Sequence, residues 1–321
     1  MFCMARKSLA LTSLATAAAL WGLSVPLSKL ALVWLSPTWL ATMRFALAAP
    51  LLAVSARRSI REALKPAILG GGAIGFGAVI MLQNVGVEHT SVSHAAVLVG
   101  AVPVFVAVAT AMRGRQRRGL MSWCGVAVAV LGVLLVAGTG GHGSSPSGDA
   151  MVLLSSALSA GFIVAQPRLL AGRDPAAVTA VQLAAGSLVS LPIALLTGGL
   201  PHAPAAGTSL GAVVALAVVG TLLPFWLFAL GQAHVSADVA GPYLNLEPVV
   251  GAALGWIAFG DAAGLGQIAG VAAVLGGIIL STLPHSGEDI VPMGTYRRLL
   301  ALKERVCAAP HGHWRACEDR P

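Results

Sequence analysis

The sequence predicts an all-α membrane protein with ten transmembrane helices, arranged as two inverted five-helix repeats. The first observation is composition: 57% of the 321 residues are hydrophobic and 10% are charged, with a mean hydropathy of +0.84. A soluble domain has about 25% charged residues, which help to cover its surface. The second observation is a series of long apolar runs, and the third is repetition between the two halves of the chain. The composition excludes a soluble enzyme, a nucleic-acid-binding domain and a disordered protein.

The apolar runs predict the helices in order. A bilayer core of about 30 Å requires about 20 helical residues, and inside it only helices or closed barrels satisfy the backbone. The ten runs span approximately 8–30, 37–56, 66–86, 92–112, 119–138, 149–170, 176–197, 208–231, 237–259 and 263–283. The first run follows a basic start, as a signal peptide does. Because it continues to about Leu30 without a small-residue cleavage site, and further runs follow, we interpret it as a transmembrane helix.

The basic residues predict the orientation. They cluster between apolar runs, at Arg6–Lys7, Arg57–Lys65, Arg113–Arg118 and Arg297–Arg305. With a cytoplasmic N-terminus, these clusters all lie inside, and the five opposite loops contain no Lys or Arg. The positive-inside rule therefore predicts a multi-pass protein of the inner (plasma) membrane with both termini cytoplasmic. The clusters lack interleaved aromatic residues, so we expect no nucleic-acid partner.

The two halves of the chain repeat one another. Several residue types recur 145 positions apart: Pro103 and Pro248, His89 and His234, Ser91 and Ser236, Ala95 and Ala240, Gly125 and Gly270. We predict a first repeat at 1–139, a linker at 140–148, a second repeat at 149–284 and a polar cytoplasmic tail at 285–321. Because five helices is an odd number, the second repeat enters the membrane from the opposite side. This inverted arrangement is typical of secondary transporters, whose substrate site lies between the halves.

Motifs in both halves carry a family resemblance. They are Leu20-Trp21-Gly22 with Lys29, Pro37 and Arg44, then Asn245 to Val250, Gly260-Asp261 and Gly266 to Gly270. In order and spacing these residues resemble EamA-type repeats of the drug/metabolite transporter superfamily, over about residues 10–283. The resemblance implies ten helices in two inverted repeats and proton-coupled or exchange transport of small metabolites. The repeat mates of Glu247 and Asp261 are Val102 and Gln116, so the first half lacks this acidic pair.

Two charged residues lie well inside apolar runs, Arg44 in the second and Glu247 in the ninth. Such a charge costs at least about 2.5–3.5 kcal/mol on insertion scales and requires a reason. Arg44 is a candidate for holding an anionic group such as a substrate carboxylate. Glu247, which precedes the helix-opening Pro248, is a candidate for taking a proton or engaging an amine. The alternative is a structural ion pair between the two halves.

Five polar residues complete the candidate substrate-binding set: Tyr243, Asn245, Gln83, Asn84 and Gln182. Tyr243 and Asn245 lie near Glu247, and Gln182 is close to the repeat mate of Arg44. For the amides the alternative is hydrogen bonding between helices, and for the tyrosine it is anchoring at the membrane interface.

These features predict a secondary-active transporter that exports a small polar metabolite, such as an amino acid, by alternating access. The expected partners are a small-molecule substrate and the lipid bilayer, with proton coupling and homodimer formation left open. One alternative is an integral-membrane lipid-modifying enzyme, for which only His234 and Asp238 suggest a dyad. The other is a nucleotide-sugar-like exchanger of the same superfamily.

We expect no enzymatic activity, no cofactor and no metal. The sequence has no G-x-x-x-x-G-K-[ST] motif, which ATP-driven pumping by this chain would require. The tail contains Cys307, His311, His313 and Cys317, whose spacing matches no standard zinc site. We therefore interpret the tail as a polar extension.

Overall fold

The computed structural model describes residues 2–112, 120–138, 145–201, 207–260 and 264–282. Within these ranges every regular element is a helix. Several sequence-predicted features lie outside the described residues: most of the linker, the basic cluster at 113–118, Asp261 and the whole polar tail with its cysteines and histidines.

The described residues of the first half form nine α-helices. They are α1 (Phe2–Trp21), α2 (Ser24–Leu32), α3 (Pro37–Ser55), α4 (Ile60–Ala63), α5 (Pro66–Gly72), α6 (Val79–Glu88), α7 (Val92–Val99), α8 (Val102–Met112) and α9 (Leu120–Gly138). A π-helical turn, Ala73–Ala78, joins α5 to α6 without interruption.

The second half has a similar order of elements. Its helices are α10 (Pro146–Leu170), α11 (Pro175–Gly198), α12 (Gly207–Ala217), α13 (Leu223–Gln232), α14 (Ala237–Ala240), α15 (Leu246–Ala258) and α16 (Leu265–Thr282). A π-helical turn, Val218–Leu222, joins α12 to α13, and a 3₁₀ turn, Gly241–Asn245, joins α14 to α15.

The described helices are those of a membrane protein. Seven are long and apolar enough to cross a membrane: Ser8–Leu32, Pro37–Ser55, Pro66–Glu88, His94–Met112, Pro146–Leu170, Pro175–Thr197 and Gly207–Gln232. Shorter apolar helices, Trp123–Gly132, Leu246–Ala258 and Leu265–Gly277, lie within the other three predicted runs. The all-helical membrane fold is thus confirmed, and the count of ten crossings stays a prediction.

Capping residues set where several helices begin. The hydroxyl of Ser36 accepts a hydrogen bond from the first turn of α3, Ser145 does the same for α10, and the carboxylate of Asp174 does so for α11. A proline follows each cap, at a position where the missing N–H costs nothing. These local signals fix the first residues of the three helices.

Five of the predicted runs contain irregular backbone within the described residues, and in the ninth it is the 3₁₀ turn Gly241–Asn245. The first run breaks between α1 and α2 at Gly22, and the fourth breaks between α7 and α8 at Gly100. A Cβ atom at Gly100 would lie 2.7 Å from the Pro248 side chain, so only glycine permits this approach. The third and eighth runs contain the two π-helical turns. Such turns often occur at functional sites because they redirect side chains.

The hydrophobic core is shared by the two halves. One buried cluster combines Leu14 of α1 with Val106 of α8 and Phe228 of α13. Small residues bring helices of opposite halves together: a Cβ atom at Gly132 of α9 would lie 2.6 Å from the backbone nitrogen of Val274 in α16. Close contact through glycine is a common way for helices to associate in membranes, where lipid removes the hydrophobic driving force.

Candidate functional site

A cavity lies among helices of both halves. Its volume is about 750 Å³ including its open mouth. Its lining residues come from α1, α2, α3, α6, α7, α8, α10, α13 and α15, and from the turns that precede α6 and α15. Arg44 and Glu247, the two charged residues inside the apolar runs, both line it.

Arg44 is held in place by the π-helical turn of the eighth run. Its Nε donates to Thr221 Oγ1 at 2.9 Å, and its Nη2 donates to Gly220 O at 3.0 Å and to Ser24 Oγ at 3.1 Å. The Thr221 hydroxyl in turn donates to Leu216 O, five residues earlier, as the π-helical geometry allows. Arg44 is only 2% exposed. These contacts fix the guanidinium plane at the cavity wall.

The guanidinium of Arg44 has donors left over. A guanidinium carries five N–H groups, and the bonds to Thr221, Ser24 and Gly220 use those of Nε and Nη2. The two N–H groups of Nη1 have no hydrogen-bond partner in the part of the chain that the structure describes. A ligand acceptor in the cavity would satisfy these donors.

Glu247 lies in the first turn of α15, where the 3₁₀ turn ends. A carboxylate is favoured there by the positive end of the helix dipole. The side chain is half-buried, and within the described ranges it makes no hydrogen bond and no ion pair within 4.0 Å. The direct ion pair with Arg44 that the sequence left open is therefore not formed. The two opposite charges line one cavity separately.

Aromatic rings form much of the remaining wall. Phe76, on the π-helical turn between α5 and α6, contacts Phe225 with ring centroids 4.5 Å apart and Phe162 at 5.1 Å. Trp21 contacts Phe225 at 4.9 Å and Phe228 at 5.0 Å. All five rings line the cavity. Such a wall excludes water and strengthens the interaction of the two charges with a ligand.

Two glutamines, one of which lines the cavity, form a reciprocal hydrogen-bonded pair. Gln166 Nε2 donates to Gln182 Oε1 at 3.0 Å, and Gln182 Nε2 donates to Gln166 Oε1 at 2.9 Å. Gln166 lines the cavity, whereas Gln182 is fully buried and does not. Each amide keeps one N–H and one oxygen lone pair after this pairing. Gln166 was not among the residues predicted from the sequence. Its available signal was an amide inside the sixth apolar run, and only the structure shows that it faces Gln182.

Comparison with known proteins identifies the chain. The model of the EamA-like transporter family matches residues 8–138 and 146–283. The chain belongs to the EamA-like transporter family. The resemblance seen in the motifs around Arg44 and Glu247 is thus confirmed, and the protein is a multi-pass membrane transporter.

Named relatives agree with this family membership. An uncharacterized transporter of Archaeoglobus fulgidus is 28% identical, covering 83% of this chain and 96% of its own. A probable terminal-alkyne amino-acid exporter of Streptantibioticus cattleyicolor is 26% identical, covering 81% and 86%. One crystal structure superimposes with a TM-score of 0.68 at 18% identity, covering 86% of this chain and 96% of that one. At this identity the superposition shows the fold alone.

The predicted site residues of this EamA-like transporter separate into four groups. Arg44, Gln83 and Glu247 line the cavity, and Gln182 lies behind it as the partner of Gln166. Two others are outside the lining: Asn84 donates to Pro37 O at 3.1 Å, and Tyr243 packs on the core cluster of α1, α10 and α13. The side chain of Asn245 lies outside what the structure describes.

Proposed function

We propose that this EamA-like transporter is a secondary-active exporter of a small zwitterionic metabolite such as an amino acid. The observation that carries the proposal is the pair of opposite charges in one cavity, Arg44 and Glu247, each with unused hydrogen-bonding capacity in the described structure. A substrate carboxylate would accept from Nη1 of Arg44, and a substrate ammonium would donate to the carboxylate of Glu247.

The wall chemistry supports a small substrate with an apolar side group. A mostly apolar and aromatic wall with a few polar groups is usual for small-molecule sites. Arg44 is the one cation among the described lining residues, with aromatic rings around it. A nucleotide-sugar diphosphate would require several donors, so the lining favours a single carboxylate. The printed name of one relative, an amino-acid exporter, supports the same substrate class.

The fold supports alternating access. The cavity lies between residues of two chain segments that both match the family, and we propose that these are two inverted five-helix repeats. The breaks at Gly22 and Gly100 and the two π-helical turns are positions where helices can bend. The exposed basic side chains of Arg57, Arg58 and Lys65 at one end support an inner-membrane orientation with both termini cytoplasmic.

A lipid-modifying enzyme receives no support from the described residues. In the candidate dyad, His234 Nδ1 lies 2.9 Å from Leu230 O of the preceding helix α13, and the side chain of Asp238 lies outside the description. The named relatives are transporters, which is consistent with a non-enzyme.

The test is counterflow in proteoliposomes. Vesicles loaded with one unlabelled amino acid are diluted into the same radiolabelled amino acid, and uptake is compared with protein-free vesicles across a panel of amino acids. We expect uptake of at least one amino acid, competed by other zwitterions. We also expect Arg44→Ala to weaken it strongly, whereas Arg61→Ala, at an exposed arginine, leaves it unchanged. Absence of counterflow for every amino acid by the folded wild type refutes the proposal.

A further inference from the structure

A second ionisable pair lies away from the cavity. The imidazole of His94, near the start of α7, has its Nδ1 3.2 Å from Oδ1 of Asp149, in the first turn of α10. The side chain of His94 is fully buried, and that of Asp149 is 10% exposed. One residue comes from each half of the chain. The pair therefore bridges the two segments whose relative movement alternating access requires.

Hydrogen bonds orient this pair. Thr90 Oγ1, itself fully buried, donates to Asp149 Oδ1 at 2.9 Å and lies 3.3 Å from His94 Nδ1. Thr90 Oγ1 and His94 Nδ1 therefore both lie within 3.2 Å of the same carboxylate oxygen. Lys29 of α2 donates to the backbone oxygens of Val87, Glu88 and Thr90 at 2.9, 3.1 and 2.7 Å. The ammonium thus lies on the segment that carries Thr90.

The surroundings of this pair are apolar, so burying its two ionisable groups there costs free energy and indicates a role for them. Val87, Val92 and Val152, each at most 2% exposed, belong to the core cluster at this end of the bundle. An ionisable group inside an apolar span is by default a functional candidate, since burial opposes its charged form. His94 and Asp149 are absent from the candidate set drawn from sequence. Each lies close to a predicted span end, where a polar residue needs no special reason.

Few other charged groups face the pair. From α2 there is Lys29, and from the end of α6 there are the exposed Glu88 and His89, which lie 3.9 Å apart. The described residues of α8, α13 and α16 include no Asp, Glu, Lys, Arg or His, and neither do those of α9. The acidic residue of α15, Glu247, lines the cavity. The pair is therefore the one buried acid–imidazole contact in the ranges that the structure describes.

We propose that the His94–Asp149 pair is a proton-binding site that couples proton movement to substrate export. The proposal rests on the proposed function, since it names the coupling ion and places it outside the substrate cavity. One proton binds to the pair from one side of the membrane and leaves to the other side, while substrate crosses in the opposite direction. The step forms and breaks only N–H or O–H bonds.

One face of α10 connects the pair to the cavity. Asp149, Ser156, Ser159 and Gln166 recur at spacings of seven, three and seven residues, which places them on one side of the helix. Ser156 is buried, with its hydroxyl 2.9 Å from Val152 O, and Ser159 and Gln166 line the cavity. At a rise of about 1.5 Å per residue, Asp149 lies about 15 Å along the helix from Ser159. This polar stripe runs through otherwise apolar packing.

Helix α7 provides a second connection. It begins beside the pair and ends at the break at Gly100, where a Cβ atom would meet the ring of Pro248. Val99, at the end of α7, lines the cavity with Glu247, the neighbour of Pro248. A change in the contact between His94 and Asp149 would tilt α7 at its start. Its other end would then move against the segment that holds Glu247.

The first experiment measures coupling in proteoliposomes. Asp149→Asn keeps an oxygen that accepts from Thr90 and His94 but cannot exchange a proton, so a merely structural contact would survive. We expect the wild type to use a pH gradient, with an upper limit of about tenfold substrate accumulation per pH unit for one proton. Asp149→Asn should retain counterflow but lose accumulation driven by the gradient. Glu88→Gln, which changes an exposed carboxylate at the same end, should keep both.

Several outcomes overturn the proposal. The first is substrate accumulation driven by the pH gradient in Asp149→Asn. The second is the absence of such accumulation in the wild type, and the third is the loss of such accumulation in Glu88→Gln. If the wild type shows counterflow without any response to the gradient, the coupling site is refuted and the proposed transport function stands. If no amino acid gives counterflow, the proposed function is refuted.

A second measurement does not depend on transport. The protein is labelled with ¹⁵N-histidine, and the signal absent from His94→Gln is followed through a pH titration. Because the pair binds the proton together, we expect the pH response of this signal to differ between the wild type and Asp149→Asn. A His94 signal without any response to pH, or with the same response in Asp149→Asn, overturns the assignment.

Discussion

Replacing Arg44 by lysine tests the carboxylate contact most directly. In the structure the guanidinium donates to Thr221, Ser24 and Gly220, Arg44 lines the cavity, and its Nη1 donors have no partner among the described residues. A lysine ammonium keeps the positive charge but has only three N–H donors. A compact ammonium cannot reproduce the planar fork of donors that a guanidinium directs both at the protein and at a ligand. The substitution therefore preserves the charge while it removes the Nη1 contact with a substrate carboxylate.

The magnitude follows from the lost contact. A hydrogen bond to a charged group contributes about 1.5–3 kcal/mol, which corresponds to about 10- to 150-fold in affinity. We expect Arg44→Lys to lower the affinity for a transported amino acid by this factor. The amine analogue that lacks the carboxylate should already bind weakly to the wild type. Its affinity should fall no more than about twofold in the variant, because it makes no contact with the Nη1 donors.

The assay is competition in counterflow. Both the amino acid and its decarboxylated analogue are titrated as inhibitors against labelled substrate, for the wild type and for Arg44→Lys, with size-exclusion profiles confirming the fold. An equal fold loss for the two compounds would refute the reasoning, because Arg44 would then act on cavity shape and not on the carboxylate. Unchanged inhibition by both would place the carboxylate elsewhere.

Three further predictions concern the cavity and its support. Glu247→Gln should lower the affinity for amine-bearing substrates at least about tenfold in the same competition assay, since the charge that attracts the ammonium is lost. The affinity for their des-amino analogues should not change. Equal losses of affinity for both kinds of compound would contradict the role. Gln182→Leu should lower the free energy of unfolding by about 1–3 kcal/mol, seen as a lower Tm in detergent, because the Gln166 amide loses its partner; an unchanged Tm would show that water replaces the pair. Gly72→Ala should lower the free energy of unfolding by about 1–3 kcal/mol, since a Cβ atom there would overlap the backbone of Gln182. Gly70→Ala in the same helix serves as control, because its Cβ atom would meet nothing within 4 Å. Equal Tm values for the two variants would contradict the close packing.

Much of the fold was predictable because membrane insertion is a local property. Each long apolar run satisfies the length requirement of the bilayer by itself, so the boundaries at Pro37, Pro66 and Pro175 could be placed within a few residues. The breaks within the runs were harder. Gly100 is one of 38 glycines, and only its closeness to Pro248 shows that this one allows a helix to bend. The π-helical turns have no sequence signal of comparable strength.

The sequence by itself determined the class of the protein and its two charges in the apolar runs. A charge inside such a run is conspicuous without knowledge of its neighbours, because its insertion cost depends on depth. Only the tertiary structure decided that Arg44 and Glu247 share a cavity without touching, that Gln166 faces it on the support of Gln182, and that His94 meets Asp149. These contacts join residues that are far apart in the chain. They depend on how each helix is rotated about its axis, and that rotation is set by packing between the halves.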